Sequence, residues 1–367
     1  MKLQTFVMER VQSVWENKVE INLAESGVSP LKLGELTEGA SIDDAYLGYP
    51  QTNGTEELRE AISDIYAGSD GDNIVVMSGT AEANYIAALS VLEPGDEAVI
   101  MLPNYMQVWG IAQSLGATVK PLPLHEEQGW AVDLDELDSL VTDKTKLIAV
   151  CNPNNPTGAV MSEDTMRAIA KIAGRVGAWI LSDEVYMGAE LSGDISATYW
   201  GWYDRLMCTA GLSKAYALPG LRIGWIVSDK ENIERLWSFK DYTSIAVSSL
   251  SDRLAQVALE PARRAKLLAR TKKILNDQLP RVTSFVEQHG NRMSWVPPRA
   301  GAIAYVRYEW DINSTKLMER LRDEKGVFIV PGDHFNMDHY LRIGYGYDPV
   351  ELDRGLTRVS ELLETLS

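Results

Sequence analysis

The chain has only two cysteines, Cys151 and Cys208, each inside an apolar stretch, and only four histidines. Two such thiols exclude a disulfide framework and a cysteine-rich metal site. The histidines stand at no ligand-like spacing, so the expectation is that no metal is bound. No run approaches the ~20 apolar residues that cross a bilayer. The segment from Met1 to Glu20 mixes charge with scattered apolar side chains and has no signal-peptide core. Basic residues are in deficit: 35 Lys and Arg against 52 Asp and Glu give a formal net charge of -17. Nucleic acid and anionic membrane surfaces are polyanions and would repel such a chain. These absences lead to the expectation of a soluble cytoplasmic protein.

What is present is an α/β pattern. Domains run to roughly 100–200 residues, so 367 residues predict two. Strand-like runs fall at Ile74–Met77, Ala98–Leu102, Lys146–Cys151, Trp179–Ser182, Leu206–Ala210 and Ile223–Val227. Several are apolar almost throughout, as strands buried on both faces of a parallel sheet should be. Helical segments Glu56–Ala67, Ala81–Leu92 and Ser162–Val176 lie between them, which predicts a mostly parallel sheet covered on both faces. From Lys230 a charged, helix-favouring stretch runs to about Gln288. Short strands follow at Ala302–Arg307, Val327–Val330 and Tyr340–Ile343, then a helix from Pro349. The boundaries expected are a large domain over 41–240 and a smaller α+β domain made of 1–40 plus 241–367. No Pro-, Gly- and Ser-rich linker separates them, so they should pack closely.

Four short elements follow strands, where open α/β sheets bind ligands. Ser78-Gly79-Thr80-Ala81 opens a helix, and its N–H groups offer a phosphate site, although Ser and Thr are also ordinary N-caps. Asn152-Pro153-Asn154-Asn155-Pro156-Thr157-Gly158 reads by itself as a turn. Ser182-Asp183-Glu184-Val185-Tyr186 places a carboxylate where it either caps a helix or pairs with a protonated pyridine nitrogen. Ser213-Lys214, with Arg222 eight residues on, is either a solvated lysine or an imine-forming one beside an anchored phosphate.

Taken together, in this order in one chain, these elements resemble the class I/II aminotransferases of pyridoxal-5′-phosphate (PLP) fold type I, the group typified by aspartate aminotransferase. The resemblance runs from about Tyr46 to Gly346. It implies that Lys214 forms the Schiff base and moves the substrate's α-proton. Asp183 would hold the pyridine nitrogen protonated, and Asn155 with Tyr186 would donate to the ring oxygen. Ser78, Gly79, Thr80, Ser213 and Arg222 would anchor the phosphate. Tyr105 would stack on the ring, the alternative being a plain core tyrosine. Tyr49 would reach the phosphate of a neighbouring subunit, which implies a homodimer with shared sites. Arg342, in Leu341-Arg342-Ile343-Gly344, would grip the substrate α-carboxylate together with Gly27 and Asn155, unless it is a surface residue.

Three positions depart from the pattern. Gly211 stands where many relatives have a serine, so one phosphate hydroxyl is missing, with Thr209 or a water as the substitute. Asn336 stands where glycine is usual, and Pro298-Arg299-Ala300-Gly301 varies a glycine-rich turn. The run Asn22-Leu23-Ala24-Glu25-Ser26-Gly27-Val28 is similar to the capreomycidine synthase-like branch, whose members cyclise a hydroxylated arginine derivative. On that similarity Glu25 meets a guanidino group; otherwise it is solvated. Asn104, Met106, Trp109 and Tyr242 complete the candidate pocket. The expected activity is transfer of an L-amino acid's amino group to a 2-oxo acid. The alternatives are elimination or cyclisation on the same cofactor, or a non-catalytic regulator of the same fold.

Overall fold

The computed structural model describes residues 3–43 and 45–366. Its centre is a seven-stranded sheet built from β2 (Ile74–Met77), β3 (Glu97–Leu102), β4 (Thr118–Pro123), β5 (Thr145–Cys151), β6 (Trp179–Asp183), β7 (Leu206–Gly211) and β8 (Gly224–Val227). The strand order is β2-β8-β7-β6-β5-β3-β4, and only β8 runs antiparallel to its neighbours. Residues of β2, β5, β6, β7 and β8 are almost all buried, which accounts for their continuous apolar runs.

Helices between the strands pack by ordinary periodicity. In Glu163–Val176 the buried residues are Met166, Ile169, Ala170 and Ala173, a single stripe. Ser162 caps its start by accepting from the Thr165 N–H, and Gly177 ends it in the left-handed region at φ 66°.

A two-residue strand near the start of the chain, β1 (Ile21–Asn22), pairs in parallel with β11 (Val327–Phe328). A second sheet has the order β12 (Val330–Pro331), β13 (Tyr340–Gly344), β10 (Ile303–Tyr308) and β9 (Met293–Trp295), all antiparallel. The single strand expected at Val327–Val330 is therefore two, in different sheets. The charged stretch after Lys230 is three helices, Lys230–Lys240, Ser249–Leu259 and Pro261–Gln288. Among the described residues no helix is long and apolar enough to cross a membrane.

β4, β1 and β9 have no counterpart among the expected strands. β4 lies at the sheet edge and contains Pro121, a residue tolerated at an edge and one that breaks the apolar run a reader looks for. The helix Val7–Trp15 was not expected either, and it covers the site.

Candidate active site

The carboxyl ends of β5, β6 and β7 open into a cavity of about 350 Å³. Strand register sets its floor: Cys151, Asp183 and Thr209 lie side by side across the three strands. Asp183 is buried. Its Oδ2 accepts from the Asn84 amide at 2.9 Å and its Oδ1 from the Val185 N–H at 3.1 Å. Burial pushes this carboxyl up, and the Asn84 amide, the Val185 N–H and the Lys214 charge oppose that.

Lys214 follows β7 and projects into the cavity, where its Nζ lies 3.2 Å from Glu25 Oε1. Burial pulls its ammonium down, but Glu25 and Tyr186 outweigh this and raise it. Lys214 in turn lowers the Glu25 carboxyl to about 2 against burial, helped by the N–H groups of Ser26 and Gly27. Glu25 is thus a pocket residue rather than a solvated one. Gly27 sits beside the lysine stem, and a Cβ there would lie 3.7 Å from Lys214 Cδ.

Arg342, on β13, is fully buried and not a surface residue. Its Nη1 donates to Asn155 Oδ1 at 3.1 Å and its Nη2 to the Ala24 carbonyl at 2.6 Å. Its Nε has no partner. Because the Asn155 oxygen faces the arginine, its amide donors are turned elsewhere. Tyr186 is buried with an unpartnered hydroxyl, and burial pushes that phenol up.

Opposite lies the start of the helix Thr80–Val91. Gly79, at φ 87°, turns the chain into it, and a Cβ there would collide with the Arg222 guanidinium. Ser213 and Arg222 line the cavity. The Thr80 hydroxyl is buried without a partner. A Cβ at Gly211 would lie 2.7 Å from that hydroxyl and 2.8 Å from the Ile223 carbonyl, so Thr80 occupies the room a serine would need. Thr209 is not the substitute: its hydroxyl donates to Asn84 Oδ1 at 2.7 Å, away from the helix start. Ser78 contributes its backbone N–H to Glu82, and its side chain is not part of the cavity wall.

Tyr105 lines the cavity, and its hydroxyl donates to Glu9 Oε1 at 2.8 Å. Met8, Glu9 and Gln12 come from the helix Val7–Trp15 and close the opposite side. Five expected positions lie elsewhere. Asn104 turns its oxygen onto the Tyr105 N–H, and Met106 and Trp109 line a separate cavity under the chain start. Tyr242 is 90% exposed. Tyr49, 85% exposed, borders a different cavity, formed with Asp252, Arg253 and Gln256, whose lining does not include Lys214. The Asn336 departure is explained by φ 59° at the end of the turn Gly332–Phe335, a conformation asparagine tolerates.

The unused groups suit a phosphorylated pyridine aldehyde. The Thr80 hydroxyl, the helix start and Arg222 fit a phosphate, Asp183 fits a protonated ring nitrogen, and the Tyr186 hydroxyl fits an anionic ring oxygen.

The known proteins this chain resembles agree. The family model "Aminotransferase class I and II" matches residues 21–359. Capreomycidine synthase of Streptomyces vinaceus is 32% identical over 366 residues, covering 95% of this chain and 91% of that protein. The crystal structure of a PLP-dependent aminotransferase from Streptococcus suis superposes with a TM-score of 0.93 at 33% identity, covering 100% of this chain and 99% of that one. That of the PLP-dependent cyclase OrfR, at 24% identity and a TM-score of 0.88, covers 100% and 99% and shares the fold. This chain therefore belongs to the class I and II aminotransferase family and is an α/β, fold type I enzyme dependent on pyridoxal 5′-phosphate.

Proposed function

We propose that the protein transfers the α-amino group of an L-amino acid to a 2-oxo acid. The observation that carries this is the placement of Arg342: a buried guanidinium with an unpartnered Nε opens on the same cavity as Lys214 and Asp183. A carboxylate docked there displaces no strong internal pair, because the arginine now spends its other donors on an amide and a carbonyl oxygen. The cofactor, when bound, supplies the electron sink that makes the substrate's Cα–H acidic.

The chain's own groups divide the remaining work. Lys214 Nζ holds the cofactor and then carries the proton from and back to Cα. Asp183 accepts the ring N–H, Asn155 Nδ2 and the Tyr186 hydroxyl donate to the ring oxygen, and Tyr105 covers the ring. Gly79, Thr80, Ser213 and Arg222 hold the phosphate. Arg342 and the Gly27 backbone fix the substrate carboxylate, which orients its Cα–H bond. Tyr49 serves the site of a neighbouring subunit, in a cytoplasmic homodimer. The exposure of Tyr46, Leu47, Tyr49 and Tyr242 supports that assembly. The large domain spans 41–240 and the small one 1–40 plus 241–367, a division supported by the seven-stranded sheet lying wholly within 41–240 and the four-stranded sheet and the β1–β11 pair wholly outside it.

A specific observation favours a second reading. Glu25 stands in the cavity against Lys214, and Glu9 joins it from the helix Val7–Trp15. Two carboxylates beside the substrate clamp suit a cationic side chain, and capreomycidine synthase is the name of one relative. On that reading the same proton transfers at Cα expel a β- or γ-substituent and close a ring.

One experiment separates the two. Holoenzyme is mixed, without any oxo acid, with a panel of amino acids that includes arginine and hydroxyarginines. Release of a 2-oxo acid with the cofactor left in its amine form establishes transamination and names the donor. A product lighter by the leaving group, with the aldehyde form retained, overturns it for cyclisation or elimination.

A further inference from the structure

Asn84 is not a candidate on sequence, yet it is 2% exposed and touches the buried Asp183 carboxylate. It lies one turn into the helix Thr80–Val91, on a stretch whose other buried residues are mostly apolar. A buried amide among apolar neighbours is costly unless both of its ends are bonded. Both are. Its Nδ2 donates to Asp183 Oδ2 at 2.9 Å, and its Oδ1 accepts from the Thr209 hydroxyl at 2.7 Å. Thr209 is itself fully buried, and its hydroxyl has a second, longer contact to the Ser182 carbonyl at 3.5 Å.

An amide can rotate by half a turn with little change of shape, and the exchange of its oxygen and nitrogen would reverse its effect on a neighbour. With the nitrogen toward Asp183, the carboxylate receives a donor. With the oxygen there, two acceptors face each other and the carboxyl must take up a proton. The Thr209 hydroxyl favours the first: its one proton has a good acceptor in the asparagine oxygen at 2.7 Å and only a long contact to the Ser182 carbonyl at 3.5 Å.

We propose that Thr209 and Asn84 are positioning residues: the threonine hydroxyl fixes the asparagine amide in the orientation that presents an N–H to Asp183, which keeps that carboxylate anionic and pointed into the cavity. The inference rests on the reading of Asp183 as the partner of the ring nitrogen. The other groups around Asp183 do not duplicate the role. Cys151, its neighbour on β5, is a buried thiol whose ionisation burial disfavours. Tyr105, from the loop after β3, is a phenol that burial keeps neutral. Tyr186 stays neutral for the same reason. Lys214 contributes charge but makes no bond to Asp183 and is paired with Glu25. Only the Val185 N–H adds a second donor, and it comes from the backbone.

The test has a readout in the apoprotein. Infrared difference titration, with Asp183→Asn as the blank, follows the protonated carboxyl of Asp183. Thr209→Val and Asn84→Leu are expected to move its appearance to higher pH, Asn84→Leu the more, and Thr209→Ser to restore it. In the holoprotein the loss of one bond to a charged group weakens cofactor affinity about tenfold for Asn84→Leu and about threefold for Thr209→Val. Both losses should vanish when the substitutions are made on an Asp183→Asn background. An unmoved titration, or an equal loss of affinity on that background, overturns the proposal and leaves the pair as packing. If Asp183→Asn itself leaves cofactor affinity unchanged, it is the role of Asp183 that falls, and the apoprotein titration still decides the relay. Thermal unfolding of each apo variant shows that it is folded.

Discussion

The cavity has two walls held in different ways. On one side are the ends of β5, β6 and β7, where Asn84 of the helix Thr80–Val91 is tied to Asp183 and Thr209 of the seven-stranded sheet by bonds of 2.7 to 2.9 Å. On the other are the helix Val7–Trp15, the segment around Glu25 and the β13 residue Arg342. The helix meets the site through Tyr105 and the Glu9 carboxylate, and only Met8 and Gln12 of it are buried. The first wall is over-determined and suits steps that every substrate shares. The second is assembled from distant parts of the chain, and on the proposed function it meets the substrate itself, its carboxylate at Arg342 and its side chain beside Glu25.

The sharpest way to break this division is to act on the first wall. Lys214→Ala should lower turnover by about 10⁴-fold, the scale of a lost acid–base group, and should remove the visible absorbance of the lysine-bound cofactor. Retention of that band would place the cofactor on another lysine. Next in size is Arg342→Ala. Removing one partner of a buried, hydrogen-bonded charge site costs on the order of 100-fold in kcat/KM. The loss should fall mainly on KM for amino acids, with cofactor affinity unchanged. A loss shared with cofactor affinity would merge the two walls.

Glu25→Gln sharpens the comparison. Its carboxyl sits at about 2, below the ordinary 4.5. A carboxyl lowered on folding stabilises the fold fully above 4.5, and the contribution disappears as pH falls toward 2. The apoprotein should therefore lose stability over that window, and Glu25→Gln should flatten the slope in acid unfolding. The same variant should change the preference between cationic and neutral amino acids by about tenfold, in proportion to one charged hydrogen bond. The smallest effect belongs to Tyr105→Phe, which keeps the ring and removes the bond to Glu9. About a threefold change in KM, with kcat steady, is the expected result.

The first wall was legible in the sequence because its signals are local. Apolar strand runs end at Cys151, Asp183 and Gly211, and the loops after them carry Asn155, Tyr186 and Lys214 within a few residues. The second wall was legible only in part: Arg342, Gly27 and Glu25 stand out in the sequence, but the elements that bring them together do not, for physical reasons. β1 has two residues, too few for any alternation to show, and its partner lies some three hundred positions later. The helix Val7–Trp15 buries too narrow a stripe to announce itself. Asn84 carries no local signal at all: its partners are 99 and 125 positions away, and only the fold joins them. Thr209 reads from sequence as one of two substitutes at the phosphate, a water being the other, since sequence does not tell which side of a strand end the hydroxyl faces. Asn104, Met106 and Trp109 are pocket candidates whose directions sequence does not give: the Asn104 oxygen turns back onto the Tyr105 N–H, and the turn into the helix Gln107–Leu115 carries Met106 and Trp109 to another cavity.

The pairing of Ile21 with Val327 also sets a timetable. The Leu23 N–H bonds to the Phe328 carbonyl, the Gly344 N–H to the Leu23 carbonyl, and the Ser29 N–H to the Gly346 carbonyl. The stretch that carries Glu25 and Gly27 thus has its seat in the last tenth of the chain. On the ribosome, at about 5–20 residues per second, it waits roughly 15–60 s for that seat to be made. The central sheet, whose strands end at Val227, is complete well before then. A nascent chain passes through a stage in which Lys214 is already joined to the central sheet and the bonds of Arg342 to Asn155 and the Ala24 carbonyl do not yet exist.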